Sequence, residues 1–85
     1  MKTATGTLQV KIFSPFKTYY EGKAVSVTAT NKTGEFDVLL DHANFFSVLE
    51  PGEVTVDTGT RKQSYQVDRG VIKVANNVVT LFANV

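Results

Sequence analysis

The chain has no cysteine, no long apolar run and almost no net charge. Without cysteine it can form neither a disulfide framework nor a thiolate metal site. No stretch approaches the roughly 18 apolar residues needed to cross a bilayer, and the first six residues lack the apolar core of a signal peptide. A formal net charge of +1 creates no long-range field that would attract nucleic acid or anionic lipid. We therefore expect any membrane association to go through a protein partner.

The remaining composition is that of one small folded domain. Hydrophobic residues make up 42% of the 85 residues and charged residues 20%, which is too apolar for a disordered chain. A chain of this length is near the lower limit at which a single core folds unaided. We expect one domain over residues 1–85, without a linker or internal repeat.

Apolar and polar residues alternate through most of the chain, as in strands with one buried face. The residues that this pattern places on buried faces are Leu8, Val10, Ile12, Val25, Val27, Ala29, Ile72 and Val74. Turn signals separate the alternating stretches, and Asn76 with Asn77 suits a two-residue hairpin because both tolerate positive φ. The pattern predicts an all-β fold, either a small antiparallel sandwich or a flattened barrel. Residues 43–49 fit neither the strand period nor the helix period, so both remain open.

The segment 34–52 contains the only histidine, His42, next to Asp41. A catalytic triad needs a nucleophile, a base and an orienting acid that converge in space. One histidine would have to serve every such role, and no Gly-x-Ser-x-Gly motif surrounds any of the four serines. We expect no catalytic residues and no cofactor. Asp37 and Asp41 lack calcium-loop spacing, so no metal site is predicted either.

Two kinds of binding remain open. Small barrels bind single-stranded nucleic acid by stacking bases on aromatic side chains beside basic ones. The residues available for such a platform are Tyr19, Tyr20, Phe45, Phe46, Tyr65, Lys17, Lys23, Arg61 and Lys62. The balanced charge disfavours this alternative. The second is a protein interface, since consecutive aromatics in an extended chain point to opposite faces and one of each pair should leave the core.

Several motifs carry a resemblance to a known family. They are Val10-Lys11-Ile12-Phe13-Ser14-Pro15, Tyr20-Glu21-Gly22, Gly34-Glu35, Val38-Leu39, His42-Ala43, Leu49-Glu50-Pro51-Gly52, Asp68-Arg69-Gly70-Val71-Ile72-Lys73-Val74 and Val79-Thr80-Leu81. In this order and register the chain resembles the N-terminal domain of the epsilon subunit of F-type ATP synthases, which is called delta in mitochondria. Asp37, Leu40 and Asn44 depart from the family's Gly, Pro and Pro. The family usually continues into a helical hairpin that these 85 residues do not contain, so no regulatory role is carried over.

The resemblance implies an epsilon-type β-sandwich of about ten short strands, without catalytic activity. Such a domain would belong to the rotor and couple rotation of the c-subunit ring, driven by proton flow, to the gamma subunit and so indirectly to the catalytic subunits. It would lie at the cytoplasmic face of a bacterial inner membrane, attached only through the complex. Family motifs would direct Gly34, Glu35, Asp41, His42 and Ala43 toward the ring, and Ser14, Asp68, Arg69 and Gly70 toward gamma.

Overall fold

The computed structural model describes residues 7–41 and 44–84. Nine strands follow one another in this part of the chain: β1 (Leu8–Phe13), β2 (Thr18–Ala24), β3 (Ser26–Asn31), β4 (Gly34–Leu39), β5 (Phe45–Leu49), β6 (Gly52–Asp57), β7 (Lys62–Val67), β8 (Arg69–Ala75) and β9 (Val78–Asn84). None of the described residues belongs to a helix long and apolar enough to cross a membrane.

The strands form two sheets. The larger sheet has the order β2-β1-β9-β8-β5, and the smaller has the order β4-β3-β6-β7. Neighbours are antiparallel except β1 and β9, which run parallel. The two sheets pack into a β-sandwich, so the predicted fold class is confirmed. Nine of the roughly ten strands implied by the resemblance lie within the described ranges.

The core lies between the sheets and contains almost only aliphatic side chains. Its buried members are Leu8, Val10, Ile12, Ala24, Val27, Ala29, Val38, Leu49, Val54, Val56, Val67, Ile72, Val74, Val79, Leu81 and Ala83. Seven of the eight residues predicted for buried faces are among them. Val25 is the exception, with 44% of its surface exposed, because it lies at the corner between β2 and β3 rather than within a strand. Its N–H donates to Asp57 O at 2.8 Å.

The ambiguous segment is a strand. Phe45–Leu49 forms β5 and pairs with β8, where Ser47 lies opposite the buried Ile72. Leu49 points into the core while Phe46 and Val48 remain outside. The apolar residues of this segment show no period of two because both faces of the strand are apolar. The expectation that one aromatic of the pair leaves the core is confirmed for Phe45 and Phe46, but Tyr19 and Tyr20 are both half-buried.

Aromatic pairs close the two open sides of the sandwich. On one side Tyr19 of β2 lies 6.3 Å from Tyr65 of β7, centroid to centroid. On the other side Phe36 of β4 meets Phe45 of β5 edge-to-face at 5.6 Å. Each pair joins the last strand of one sheet to the last strand of the other. These rings therefore cover the sides of the core. The edge-to-face arrangement of Phe36 and Phe45 is a favourable one for aromatic pairs.

Tyr65 makes the folding stability change with pH in the alkaline range. Its hydroxyl lies 2.9 Å from Gln63 Oε1 and 3.3 Å from Tyr19 O. Burial raises the pKa of the Tyr65 phenol above its ordinary 10.0; the Tyr20 phenol adds to this rise and Arg61 opposes it. Above the ordinary value the unfolded chain loses this proton before the folded chain does. Folding stability is therefore complete at lower pH and falls as pH rises through the folded pKa.

We expect the urea midpoint of the wild type to fall more steeply between about pH 9 and 11 than that of Tyr65→Phe. Chemical denaturation followed by circular dichroism at several pH values would measure both slopes. Every other side chain is the same in both proteins, so the comparison isolates one phenol. Equal slopes would show that Tyr65 does not contribute to the pH dependence.

Candidate docking face

The strand registers give the sandwich two distinct ends. The proline end collects the turns at residues 14–17 and 32–33, the β5–β6 connection with Pro51, and Asp68. Glu50 N–H donates to Thr30 O at 2.9 Å there, which joins the two sheets. The asparagine end collects residues 24–25, 41, 44, 58–61 and 76–77. Each predicted site residue within the described ranges can be assigned to one of these ends.

The residues expected to face the ring do not form one group. Gly34 and Glu35 begin β4 at the proline end, whereas Asp41 follows the same strand at the asparagine end. Asp41 follows Glu35 by six positions, which in extended chain corresponds to roughly 20 Å. His42 and Ala43 lie outside the described residues. The structure instead brings Gly34 and Glu35 to the same end as the second predicted set, Ser14, Asp68, Arg69 and Gly70.

Ser14 supports the turn that contains it. Its side chain is only 9% exposed, and its Oγ accepts hydrogen bonds from the N–H groups of Phe16 at 3.2 Å and Lys17 at 3.3 Å. The Ser14 N–H donates to Lys17 O at 2.8 Å. The hydroxyl is thus directed at its own backbone, as in other serine turns. Ser14 therefore shapes the turn, and Phe16 at its tip, 93% exposed, is the side chain that it presents.

Asp41 has a comparable structural task at the asparagine end. Its backbone has a φ of 63°, in the left-handed region, which aspartate and asparagine adopt more readily than most residues. Its N–H donates to Asn77 Oδ1 at 2.6 Å, and Asn77 Nδ2 donates back to Asp41 Oδ1 at 3.2 Å. Nearby, Asn76 N–H donates to Asn44 Oδ1 at 3.0 Å. These bonds connect the chain on both sides of residues 42–43 to the β8–β9 turn.

An apolar row crosses the outer face of the larger sheet near the proline end. Val48, Val71, Phe82 and Phe13 lie opposite one another on the consecutive strands β5, β8, β9 and β1. Phe46, 67% exposed, lies beside this row, and Val48 is 61% exposed. The Phe13 and Phe82 rings meet edge-to-face at 5.4 Å. This face therefore exposes apolar side chains as a connected strip, which in monomers marks interaction sites.

Two shallow depressions border the apolar row. One, of about 210 Å³, is lined by Val48, Arg69, Gly70, Val71 and Phe82. The other, of about 560 Å³, lies between β5 and the β3–β4 turn. Its lining residues are Asn31, Lys32, Thr33, Phe46, Ser47, Val48 and Glu50. Because Val48 lines both, the larger depression connects the apolar row to the polar turn that precedes Gly34 and Glu35.

The outer face of the smaller sheet is chemically different. A row of polar side chains crosses its four strands in register. These residues are Asp37, Thr28, Thr55 and Ser64. Thr28 Oγ1 donates to Asp37 Oδ1 at 2.6 Å, and the Thr55 and Ser64 hydroxyls lie 3.2 Å apart. Such a surface is well solvated without a partner. Of the two outer faces, only that of the larger sheet carries the apolar row.

The described residues do not assemble a site for metal or nucleic-acid chemistry. No group of three or more histidines and carboxylates occurs among them. Four of the five proposed stacking aromatics, namely Tyr19, Tyr20, Phe45 and Tyr65, pack against the core instead of forming a platform. The Lys17 Nζ lies 5.0 Å from the centre of the Tyr19 ring and covers it further. These rings are part of the fold.

Sequence reasoning missed most of the apolar row. Val48, Val71 and Phe82 each neighbour a core residue in the chain, so their strands are apolar on both faces. That two-sided pattern in β5, β8 and β9 was the available signal. It could not show that the outward residues lie side by side, because the register between distant strands is not written in the local sequence.

Comparison with known proteins identifies the fold and the family. The family model described as "ATP synthase, Delta/Epsilon chain, beta-sandwich domain" matches residues 7–85. The ATP synthase epsilon chain of Vesicomyosocius okutanii is 33% identical over 92% of this chain and 56% of its own length. A chloroplastic ATP synthase epsilon chain from Tetradesmus obliquus is 35% identical, over 92% of this chain and 57% of its own. The chain thus spans a little over half the length of these relatives.

Solved structures show the same fold at lower identity. A chain of the Euglena gracilis mitochondrial ATP synthase (OSCP, F1 and c-ring) superposes with a TM-score of 0.87 at 20% identity, over 96% of this chain and 53% of that one. A chain of the Tetrahymena thermophila mitochondrial ATP synthase central stalk and c-ring gives 0.79 at 16% identity, over 95% and 66%. Neither these nor the relatives support the nucleic-acid alternative. The chain belongs to the family of ATP synthase delta/epsilon β-sandwich domains.

Proposed function

We propose that this chain is the β-sandwich domain of a non-catalytic rotor subunit in an F-type ATP synthase. In this role it couples rotation of the c-subunit ring to the gamma subunit during ATP synthesis. Family membership and the relatives' names support the assignment to the complex. The observation that carries a docking role is the apolar row at the proline end, because it lies on one outer face only.

A rigid domain suits mechanical coupling. The core side chains are fully enclosed, and within each sheet the neighbouring strands are joined by hydrogen-bonded ladders. Close-packed interiors have low compressibility and transmit force rather than absorb it. The domain would therefore pass torque between partners without changing its own shape. This role requires two contact surfaces and no chemistry within the domain.

The gamma subunit is proposed to dock on the apolar row. Val48, Val71 and Phe82 would form the desolvated centre of that interface, with exposed Asp68 and Arg69 at its rim. Interfaces typically combine an apolar centre with a polar margin. Gly70 is buried against β9 and Ser14 is directed at its own turn, so both act by shaping this surface.

The ring is proposed to contact the neighbouring β3–β4 turn through Gly34 and Glu35. This turn adjoins the apolar row across the larger depression, so one side of the domain can meet two adjacent partners. Asp41 is at the opposite end, so we assign it no direct share in this contact. His42 and Ala43 lie outside the described residues. An exposed Glu35 ion pair contributes less than about 1 kcal/mol. Simultaneous attachment to gamma and ring would provide the remaining affinity.

The domain would be a peripheral part of a membrane-bound complex. No described segment is a membrane-spanning helix, and attachment through partners is what a coupling subunit needs. We place it on the cytoplasmic face of a bacterial inner membrane, in keeping with bacterial relatives such as that of Vesicomyosocius okutanii. Chloroplast relatives share the domain, so purification of the native complex from its source would test this placement.

Complex formation with gamma tests the proposal directly. The purified chain is expected to co-elute with the cognate gamma subunit in gel filtration, as one peak at 1:1 stoichiometry. A labelled single-stranded oligonucleotide provides the contrasting assay and should give no change in anisotropy at low salt. Two separate protein peaks at concentrations up to about 100 μM, well above the dissociation constants of stable complexes, would contradict the proposal.

A further inference from the structure

The edge strand β5 lacks the protection of the other three sheet edges. Natural edge strands avoid pairing with other chains by carrying charges, bulges or proline. The remaining edges are β2, β4 and β7, and each contains at least one charged residue. These residues are Glu21, Lys23, Glu35, Asp37 and Lys62. β5 reads Phe-Phe-Ser-Val-Leu and contains no charge, no proline and no glycine.

β5 is also accessible from outside. Its outward side chains Phe46 and Val48 are 67% and 61% exposed. Beside the strand lies the larger depression, of about 560 Å³, whose far wall is formed by Asn31, Lys32 and Thr33. Within the described part of the chain, one backbone edge of β5 has no neighbouring strand in its sheet. An additional strand therefore has both an apolar surface and space next to this edge.

The sequence of β5 is complementary to itself. It has five residues with Ser47 in the middle. If a second copy pairs antiparallel about a twofold axis at Ser47, Phe46 of each chain lies opposite Val48 of the other. Aromatic residues opposite β-branched residues are favourable cross-strand pairs. Such a pairing brings two exposed phenylalanines and two exposed valines into lateral contact, and it extends the apolar row across both copies.

We propose that the free domain pairs with a second copy of itself through β5, which creates one continuous ten-stranded sheet from two five-stranded ones. The twofold axis makes the contact isologous and closed, so it yields dimers rather than fibres. A pair of five-residue strands buries less than the about 1,200 Å² typical of stable complexes. The dimer is therefore weak and forms at elevated concentration. This inference concerns the isolated domain. It does not require the contact with gamma, which would compete with the dimer because both use Val48.

Sedimentation velocity of the purified domain between about 10 μM and 1 mM tests the proposal, since weak interfaces dissociate in this range. The wild type is expected to shift from monomer toward dimer. Phe46→Glu is expected to weaken dimerisation at least tenfold. Its glutamate lies next to Lys73, the cross-strand neighbour of residue 46, so the monomer should keep its fold. Circular dichroism would verify this.

The matched control is Val78→Glu. Val78 is 47% exposed and belongs to β9, an interior strand of the same sheet, so its substitution adds the same charge away from the β5 edge. It should dimerise like the wild type. A wild-type domain that remains monomeric at 1 mM would overturn the proposal, and so would equal weakening by the two variants. Because gamma is absent from the assay, these outcomes do not depend on the proposed function.

Discussion

Val48→Asp is expected to weaken binding of the domain to gamma by at least about thirtyfold, with the fold intact. Val48 lies at one end of the apolar row and lines both depressions beside it. A carboxylate there would have to be taken out of water at the interface, which costs several kcal/mol in the complex. In the free domain the same carboxylate stays in water. Titration calorimetry with purified gamma would measure the loss.

Val78→Asp is the matched control for this experiment. Both valines lie on the outer face of the larger sheet, but Val78 is at the asparagine end, away from the apolar row. We expect its affinity to stay within about threefold of the wild type, since residues outside an interface contribute little. Equal losses in the two variants, or none in Val48→Asp, would show that gamma docks elsewhere. Working below 10 μM avoids interference from self-association.

Gly70→Ala is expected to cause the largest loss of stability. A Cβ at this position would lie 2.5 Å from Phe82 O and 3.4 Å from Ala83 Cα, so the obstruction is backbone that cannot rotate away. Strands β8 and β9 would have to separate locally, which disturbs the centre of the larger sheet. We expect a cost of about 2–4 kcal/mol in the free energy of unfolding. For a domain of this size that lowers Tm by roughly 10–20 °C.

Gly22→Ala shows what an alanine costs when there is space for it. The added Cβ would meet only the Tyr20 side chain, at 3.5 Å or more, an ordinary van der Waals contact. Its Tm should remain within a few degrees of the wild type. Thermal melts by circular dichroism compare the two variants. Similar Tm values for Gly70→Ala and the wild type would mean that β8 and β9 are not packed as closely as described.

Local patterns were sufficient for most of the strands. Alternation identified β1 because it has one apolar face over several residues, and the Asn76–Asn77 turn followed from two residues that adopt φ of 53° and 65°. Prediction failed where the place of a residue in the fold, rather than its type, decided whether it is buried. Val25 has the right chemistry for a core but lies at a corner. β5 was ambiguous because apolar residues on both faces cancel the periodic signal.

The candidate site was predictable only in part. Segment 34–52 contains every residue predicted to face the ring, yet Gly34 begins β4 and Asp41 lies beyond the far end of that strand. Residues that are close in sequence are also close in space when they form a loop. When they flank an extended strand, they lie roughly 20 Å apart. Ser14 also has a different role from the predicted contact with a partner, because its hydroxyl accepts hydrogen bonds from the backbone of its own turn. The end at which a residue lies depends on the direction of its strand, and the role of its side chain depends on burial and hydrogen bonding.

By itself the sequence determined the fold class, the absence of cysteine chemistry and the resemblance to epsilon chains, since composition, periodicity and motif register are local properties. Only the tertiary structure decided which surface can bind. The apolar row joins Val48, Val71, Phe82 and Phe13, which are far apart in the chain and meet through strand pairing. A single-residue shift in register would turn these side chains into the core. Surface chemistry therefore follows from register, which long-range pairing sets.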